Sequence, residues 1–126
     1  MSNTYRELRV WQKAVDLAVL VYEFTAEFPK HELYGLSSQM RRAAVSVASN
    51  LAEGAARGTR KDFRHFVKLA EGSNSELQTQ LLIARRLKFG CTAASDTVDE
   101  LSNDVGKMLT ALSNYLTREI RLTDST

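Results

Sequence analysis

The chain has 126 residues, 44% of them hydrophobic and 25% charged, with a net charge of +2. That length builds one domain with a real core and needs no metal or disulfide to hold it. The single cysteine, Cys91, excludes an intrachain disulfide, and no run of about 20 apolar residues is present to span a bilayer. The opening MSNTYRELRVWQ reaches charges before any apolar run, so no secretory signal is read and a cytoplasmic, single-domain protein is expected.

Four runs carry helical periodicity, and no segment sustains a period-two apolar pattern. The first covers about 6–28 on Val10, Ala14, Leu17, Val21, Phe24 and Phe28, and stops before Pro29, the only proline. The loop PKHELYGL follows, and Ser37 or Ser38 is read as the cap of a second run over about 37–57. That run uses Met40, Ala43 or Ala44, Val47, Leu51 and Gly54, and Gly58 is expected to end it in the left-handed conformation. Thr59 caps the third run, about 59–89, with Asp62 in its first turn and Phe63, Phe66, Ala70, Leu77, Leu81, Ala84 and Leu87 as its apolar face. It would be about 45 Å long. Thr92 or Ser95 opens the fourth run, about 94–119, on Val98, Leu101, Val105, Met108, Leu112 and Tyr115. Residues 120–126 read as a polar tail. Short connections between four such helices predict an all-α, antiparallel up-down-up-down four-helix bundle. The long third helix and its small-residue faces point to association with further copies.

The stretch SVASNLAEGAARGTRKDF, residues 46 to 63, has two halves. Ser46, Ser49, Asn50 and Glu53 recur at three- and four-residue spacing, and residues 46 to 54, ending at Gly54, read as a packing and assembly seam. If the second and third helices turn at Gly58, facing positions sum to roughly 116. Asn50 then lies near Phe66, Val47 near Ala70, and Ala43 near Ser73. Glu76 falls near Met40 by the same arithmetic, where an ion pair with Arg41 or Arg42 is expected. Glu53, the only acid of its helix, is assigned a structural role toward Asn50, Arg57 or a neighbouring chain.

The second half is basic. Residues 41–68 hold seven basic side chains against two acidic ones, whereas residues 92–126 hold three against six. Arg57, Arg60, Lys61, Arg64 and Lys68 form one cationic group, and Arg85, Arg86 and Lys88 form another at the far end of the third helix. Both are candidate contacts for a polyanion.

Catalytic patterns are weak. GAARGTRK lacks the glycine spacing of a phosphate loop, and no strand precedes it. Asp62 and His65 are three apart, but a di-iron bundle needs two Glu-x-x-His motifs with further inward glutamates. Arg60, Lys61 and Arg64 oppose a bound cation there. His31 has no evident catalytic partner, Cys91 reads as a packed thiol, and no serine lies in a GxSxG elbow. No catalytic residue, metal or cofactor is expected, and the chain is read as not an enzyme.

Taken together, YRELRVWQKAVDL, FPKHELYGLSSQMRRAAVSVASNLAEG and DFRHFVKLAEGSNSELQTQLLIA resemble the 23S rRNA-intervening-sequence protein family. These are small bacterial four-helix-bundle proteins. The resemblance covers roughly residues 5 to 116, and QMRRAAVSVASNLAEG is its most specific block. Family positions map onto Trp11, Arg41, Arg42, Ser46, Asn50, Glu53, Gly54, Phe63, Phe66, Ala70, Ser73, Glu76 and Leu77, most of them suited to packing and assembly. Asn74 and Cys91 depart from the apolar or aromatic residues expected at their positions. The resemblance supplies no catalytic residues. A similar branch serves diversity-generating retroelements as the accessory variability protein, a homopentameric barrel with a basic surface that binds nucleic acid and a reverse transcriptase. A homo-oligomer, a pentamer on this resemblance, is therefore expected, with RNA or DNA as partner.

Two functional readings follow. One is a non-enzymatic oligomer that binds RNA or DNA through its basic surface, contacting backbone phosphate with little sequence preference. The other is a protein-binding scaffold without a direct nucleic-acid role, for which exposed aromatics such as Trp11 or Tyr34 are the informative surfaces.

Overall fold

Val10, Ala14, Leu17, Val21 and Phe24 are all buried, as their spacing requires of one helix face. In the computed structural model, which describes residues 5–124, they belong to α1, Arg9–Thr25, preceded by a 3-10 turn at Tyr5–Glu7. α2 is Leu36–Ala56, α3 is Arg60–Arg86 and α4 is Thr92–Asp124, with a second 3-10 turn at Lys30–Glu32. The described residues contain no strand, and none of their helices is long and apolar enough to cross a membrane.

α1 packs on α2 and α4, and α3 packs on the same two, so α1–α3 and α2–α4 are the diagonals. Named contacts fix the directions. Arg41, early in α2, bonds Thr25 at the end of α1. Gly54, late in α2, faces Phe63 and Phe66 early in α3. Arg60 and Arg85, at opposite ends of α3, pair with Glu119 and Asp96 at opposite ends of α4. Successive helices are therefore antiparallel, giving the up-down-up-down bundle.

Several boundaries differ from the sequence reading. α1 ends at Thr25, whose hydroxyl bonds back to the Val21 carbonyl at 2.7 Å. The chain then turns, and Phe28 still reaches the core from outside the helix. Neither Ser37 nor Ser38 caps α2. The helix starts at Leu36, whose amide donates to Glu32 Oε1 at 3.0 Å, and Ser37 is buried inside the first turn. α4 continues to Asp124, so most of the expected tail is helical, and residues 125–126 lie outside the described range.

The α2–α3 connection is built as read. Gly58 has φ +91°, and the Thr59 hydroxyl accepts from the Asp62 amide at 3.1 Å. α3 closes with a Schellman motif, in which the Phe89 amide bonds the Ala84 carbonyl at 2.9 Å and the Lys88 amide bonds Arg85 at 3.1 Å. The left-handed position of this motif, usually glycine, is Lys88 with φ 61°. Beyond it Gly90 has φ +75°, and a Cβ there would stand 2.5 Å from the Phe24 ring. Phe24, Phe28 and Phe89 stack edge-on or tilted at 4.9 and 5.5 Å and plug this end of the bundle.

On α4 the core frame differs from the one expected. Val98 and Val105 are buried, but they are continued by Leu109 and Leu116. Leu101, Met108 and Leu112 are only partly buried, and Tyr115 is exposed. The same inward face carries Ser95, Ser102 and Ser113, all buried. On α3, Val67 joins the core, and Leu87, one residue past the helix end, faces solvent.

Candidate nucleic-acid interface

Ser46 Oγ accepts a 2.9 Å hydrogen bond from Ser73 Oγ of α3, and Asn50 Nδ2 donates to both the Ser46 carbonyl and its hydroxyl at 2.8 and 2.9 Å. The small polar stripe is thus a seam between α2 and α3 of one chain. Ser46, rather than Ala43, meets Ser73. That register is shifted about one turn from the expected one and lets Phe63 and Phe66 seat against Gly54. A Cβ on Gly54 would lie 2.6 Å from Phe66 Cβ.

The ion pair expected at Glu76 is not made. Arg41 turns to α1 instead, where its Nε donates to Thr25 Oγ1 at 2.8 Å and its guanidinium lies 4.7 Å from the Tyr22 ring centre. Its partner is a helix-end hydroxyl that sequence spacing within α2 and α3 does not reveal. Arg42 and Glu76 are exposed, and neither makes an ion pair among the described residues. Glu53 pairs with Arg57 one turn on, at 2.9 Å.

The first basic group surrounds the α2–α3 turn, and its charges are partly matched. Arg57 also lies over the Phe66 ring at 5.0 Å, Arg60 pairs with Glu119 at 3.6 Å, and Lys68 pairs with Glu71 at 3.6 Å. Arg64 is half-buried beside them, and its Nε has no hydrogen-bond partner. Lys61 is exposed. At the other end of α3, Arg85 donates to the Ser95 carbonyl and to Asp96, both at 3.1 Å. Arg86 and Lys88 are exposed, with no ion pair among the described residues. The two groups are therefore separate clusters at opposite ends of one helix.

Sequence reasoning missed two grooves. One, of about 420 Å³, lies between α1 and α2 on Val15, Ala18, Val19, Tyr22, Val45 and Ala48. Its signal was present as a second apolar stripe, Val15, Val19 and Tyr22, beside the core stripe of the first helix. The other, of about 720 Å³, lies between α3 and α4 and is lined by carboxamides and hydroxyls that include Asn74, Gln78, Asn103, Thr110 and Asn114. Nothing in the one-dimensional pattern brings those side chains together. Trp11 packs half-buried against the core and the Tyr5 ring, so it is not the exposed aromatic expected, whereas Tyr34 is exposed. Cys91 is exposed as well, and its Sγ accepts from the Ala94 amide at 3.3 Å, capping α4. His65 lies exposed against the edge of Phe66, and no group of three or more metal-ligating residues exists among the described residues.

A sequence model of the 23S rRNA-intervening sequence protein family matches residues 6–111. The chain belongs to this family. Among solved structures, the fold is similar to a crystal structure of a protein of unknown function from the S23 ribosomal protein family of Bacteroides thetaiotaomicron. The two share 20% identity with a TM-score of 0.74, over 82% of this chain and 97% of the other. No curated protein matches. The 23S rRNA-intervening sequence protein family model spans all of α1, α2 and α3 and most of α4.

Proposed function

We propose that the protein is a non-enzymatic homo-oligomer that binds the backbone of RNA or DNA through the basic clusters at the two ends of α3. The observation that carries the reading is the placement of these cations. Arg57, Arg60, Lys61, Lys68, Arg85, Arg86 and Lys88 are all exposed. Where they are paired, the carboxylates are themselves solvent-accessible. Such pairs contribute about 0–1 kcal/mol each, so a phosphate can displace the carboxylate at little cost. In a ring of subunits each cluster is repeated, and a modest charge per chain becomes a continuous polyanion surface. The pentamer and a reverse transcriptase as further partner belong to this proposal.

The test is binding of the purified protein to structured RNA, duplex DNA and single strands across a salt series, with native mass spectrometry on the same sample. Steeply salt-dependent binding by an oligomer is expected. The triple variant Arg60→Glu, Lys68→Glu, Arg86→Glu should weaken it by more than roughly tenfold while the oligomer mass is kept. Binding unchanged by the triple variant overturns the reading.

The apolar groove between α1 and α2 favours a second reading, a scaffold for another polypeptide. An oligomer that binds no nucleic acid at low salt, and whose groove is filled by an amphipathic helix from a different protein, would establish it.

A further inference from the structure

The outward face of α3 carries a stripe at alternating three- and four-residue spacing: His65, Leu69, Gly72, Glu76, Thr79 and Ile83, all exposed. Leu69 and Ile83 are each 44% exposed, and Leu87, on the same side just past the helix end, is 53% exposed. Gly72 lies mid-helix, where glycine is a poor choice, and a Cβ there would meet nothing within 4 Å. Nothing in the single chain asks for that glycine, whereas a helix of another molecule laid close along the stripe would.

The stripe is matched in both directions about Glu76. Leu69 stands seven residues before it and Ile83 seven after, and His65 and Leu87 stand eleven before and after. Two copies with antiparallel α3 helices and a two-fold axis at Glu76 would set each Leu69 on the other's Ile83 and each Leu87 on the other's His65. That pairing also brings two Glu76 carboxylates together, and the countercharge for them lies one helix away. Ser73 Oγ of α3 donates to Ser46 Oγ of α2 at 2.9 Å. Because the two helices are antiparallel, Arg42, one turn before Ser46, stands level with Glu76, one turn after Ser73. Both are exposed, and neither makes an ion pair among the described residues. At the axis, two arginines and two glutamates make a neutral cluster.

We propose that this face of α3 is a weak self-association surface, occupied by α3 of a second copy, antiparallel and centred on Glu76. It goes beyond the ring of the reading above, since a two-fold contact closes on itself and joins two copies or two rings. Its apolar content is small, which sets the dissociation constant on the order of 100 μM, above the concentrations of native mass spectrometry. Copies gathered on one strand of RNA meet at an effective concentration of about a millimolar, where such a contact forms.

The test is sedimentation equilibrium of the full chain at several times that dissociation constant, where the mass should double. Arg42→Glu makes the cluster wholly negative and Glu76→Arg makes it wholly positive, so each variant alone should pair at least roughly tenfold more weakly. Mixed in equal amounts, the two should pair with each other at least as tightly as the parent chain does. An ion pair within one chain cannot produce that rescue. The register is checked in a Cys91→Ser background, where Leu69→Cys and Ile83→Cys chains should form a disulfide-linked dimer when mixed. Neither should cross-link alone, because its own copy stands about 21 Å away along the helix. A parent chain that does not double, a variant that pairs undiminished alone, a mixture that fails to pair, or self-cross-linking of either cysteine variant overturns the seam. Such a failure leaves the basic clusters standing, because Arg42 and Glu76 belong to neither. Absence of RNA binding removes the nucleic-acid reading and leaves the seam in place.

Discussion

Asn74 and Ser102 satisfy one another across the α3–α4 seam. The Ser102 hydroxyl donates to Asn74 Oδ1 at 2.8 Å, and Asn74 Nδ2 donates to the Ser102 carbonyl at 3.0 Å. Both residues are buried, and Gly106 leaves the space that the carboxamide occupies, since a Cβ there would lie 3.2 Å from Asn74 Nδ2. A polar residue at an expected apolar position is thus accommodated by a partner and a void on the facing helix. Ser102→Ala strands a buried acceptor and should cost about 1–3 kcal/mol. The shift in urea midpoint measures it. In Asn74→Leu/Ser102→Ala the summed single costs should be partly recovered, and strict additivity would show that the pair is not coupled.

Ser113 provides the contrast. It sits on the same inward face of α4, but its hydroxyl has no partner among the described residues. Ser113→Ala removes a desolvated group and leaves no orphan behind, so stability should hold or rise by up to about 1 kcal/mol. Thermal melts of the two alanine variants, run side by side, decide it. A loss at Ser113 as large as that at Ser102 contradicts the assignment.

These serines also explain what the sequence could and could not convey. α1 and α2 were legible because their inward positions are almost all apolar or alanine. On α4, Ser95, Ser102 and Ser113 interrupt the inward face, and the reading slid onto the neighbouring stripe of Leu101, Met108, Leu112 and Tyr115. A hydroxyl looks like a surface residue until the helix that buries it is known. The basic clusters were visible as charge, but the carboxylates opposite them, such as Glu119 beside Arg60, lie on another helix. The α1–α2 groove was half visible, since Val45 and Ala48 of α2 complete it only once the helices are placed.

Backbone handedness at the two ends of α3 yields opposite effects. Lys88 holds φ 61° where glycine is favoured, and Gly58 holds φ +91° with open space where a Cβ would stand. Lys88→Gly should stabilise by about 1 kcal/mol, and Gly58→Ala should destabilise by about the same. Equilibrium urea denaturation resolves both signs. A destabilised Lys88→Gly would mean that its side chain contributes more than its conformation costs.

Gly54 tests the seam. Its absent Cβ lets the helices approach, and an added one would lie 2.6 Å from Phe66 Cβ and 3.3 Å from the Phe63 carbonyl. Because backbone must move, Gly54→Ala should cost about 1–3 kcal/mol despite alanine's better helix propensity. A gain in stability would show that the seam has slack.

If the protein assembles as proposed, the α1–α2 groove is a surface on which a second copy would sit, in competition with the other polypeptide of the second reading. Val19 and Val45 are 53% and 40% exposed and leave an apolar strip uncovered in the single chain. Replacing either with glutamate removes little buried area from the monomer, so helicity should be unchanged. Against a second copy the same change buries an unpaired carboxylate, which costs several kcal/mol per contact and is multiplied around a ring. Val19→Glu/Val45→Glu should therefore run as a monomer in native mass spectrometry while its circular dichroism matches the parent chain. Because a monomer presents each basic cluster once, its affinity for RNA should fall by more than roughly tenfold with no cation altered. An oligomer that persists in this variant places the subunit contact elsewhere and leaves the groove free for a different polypeptide.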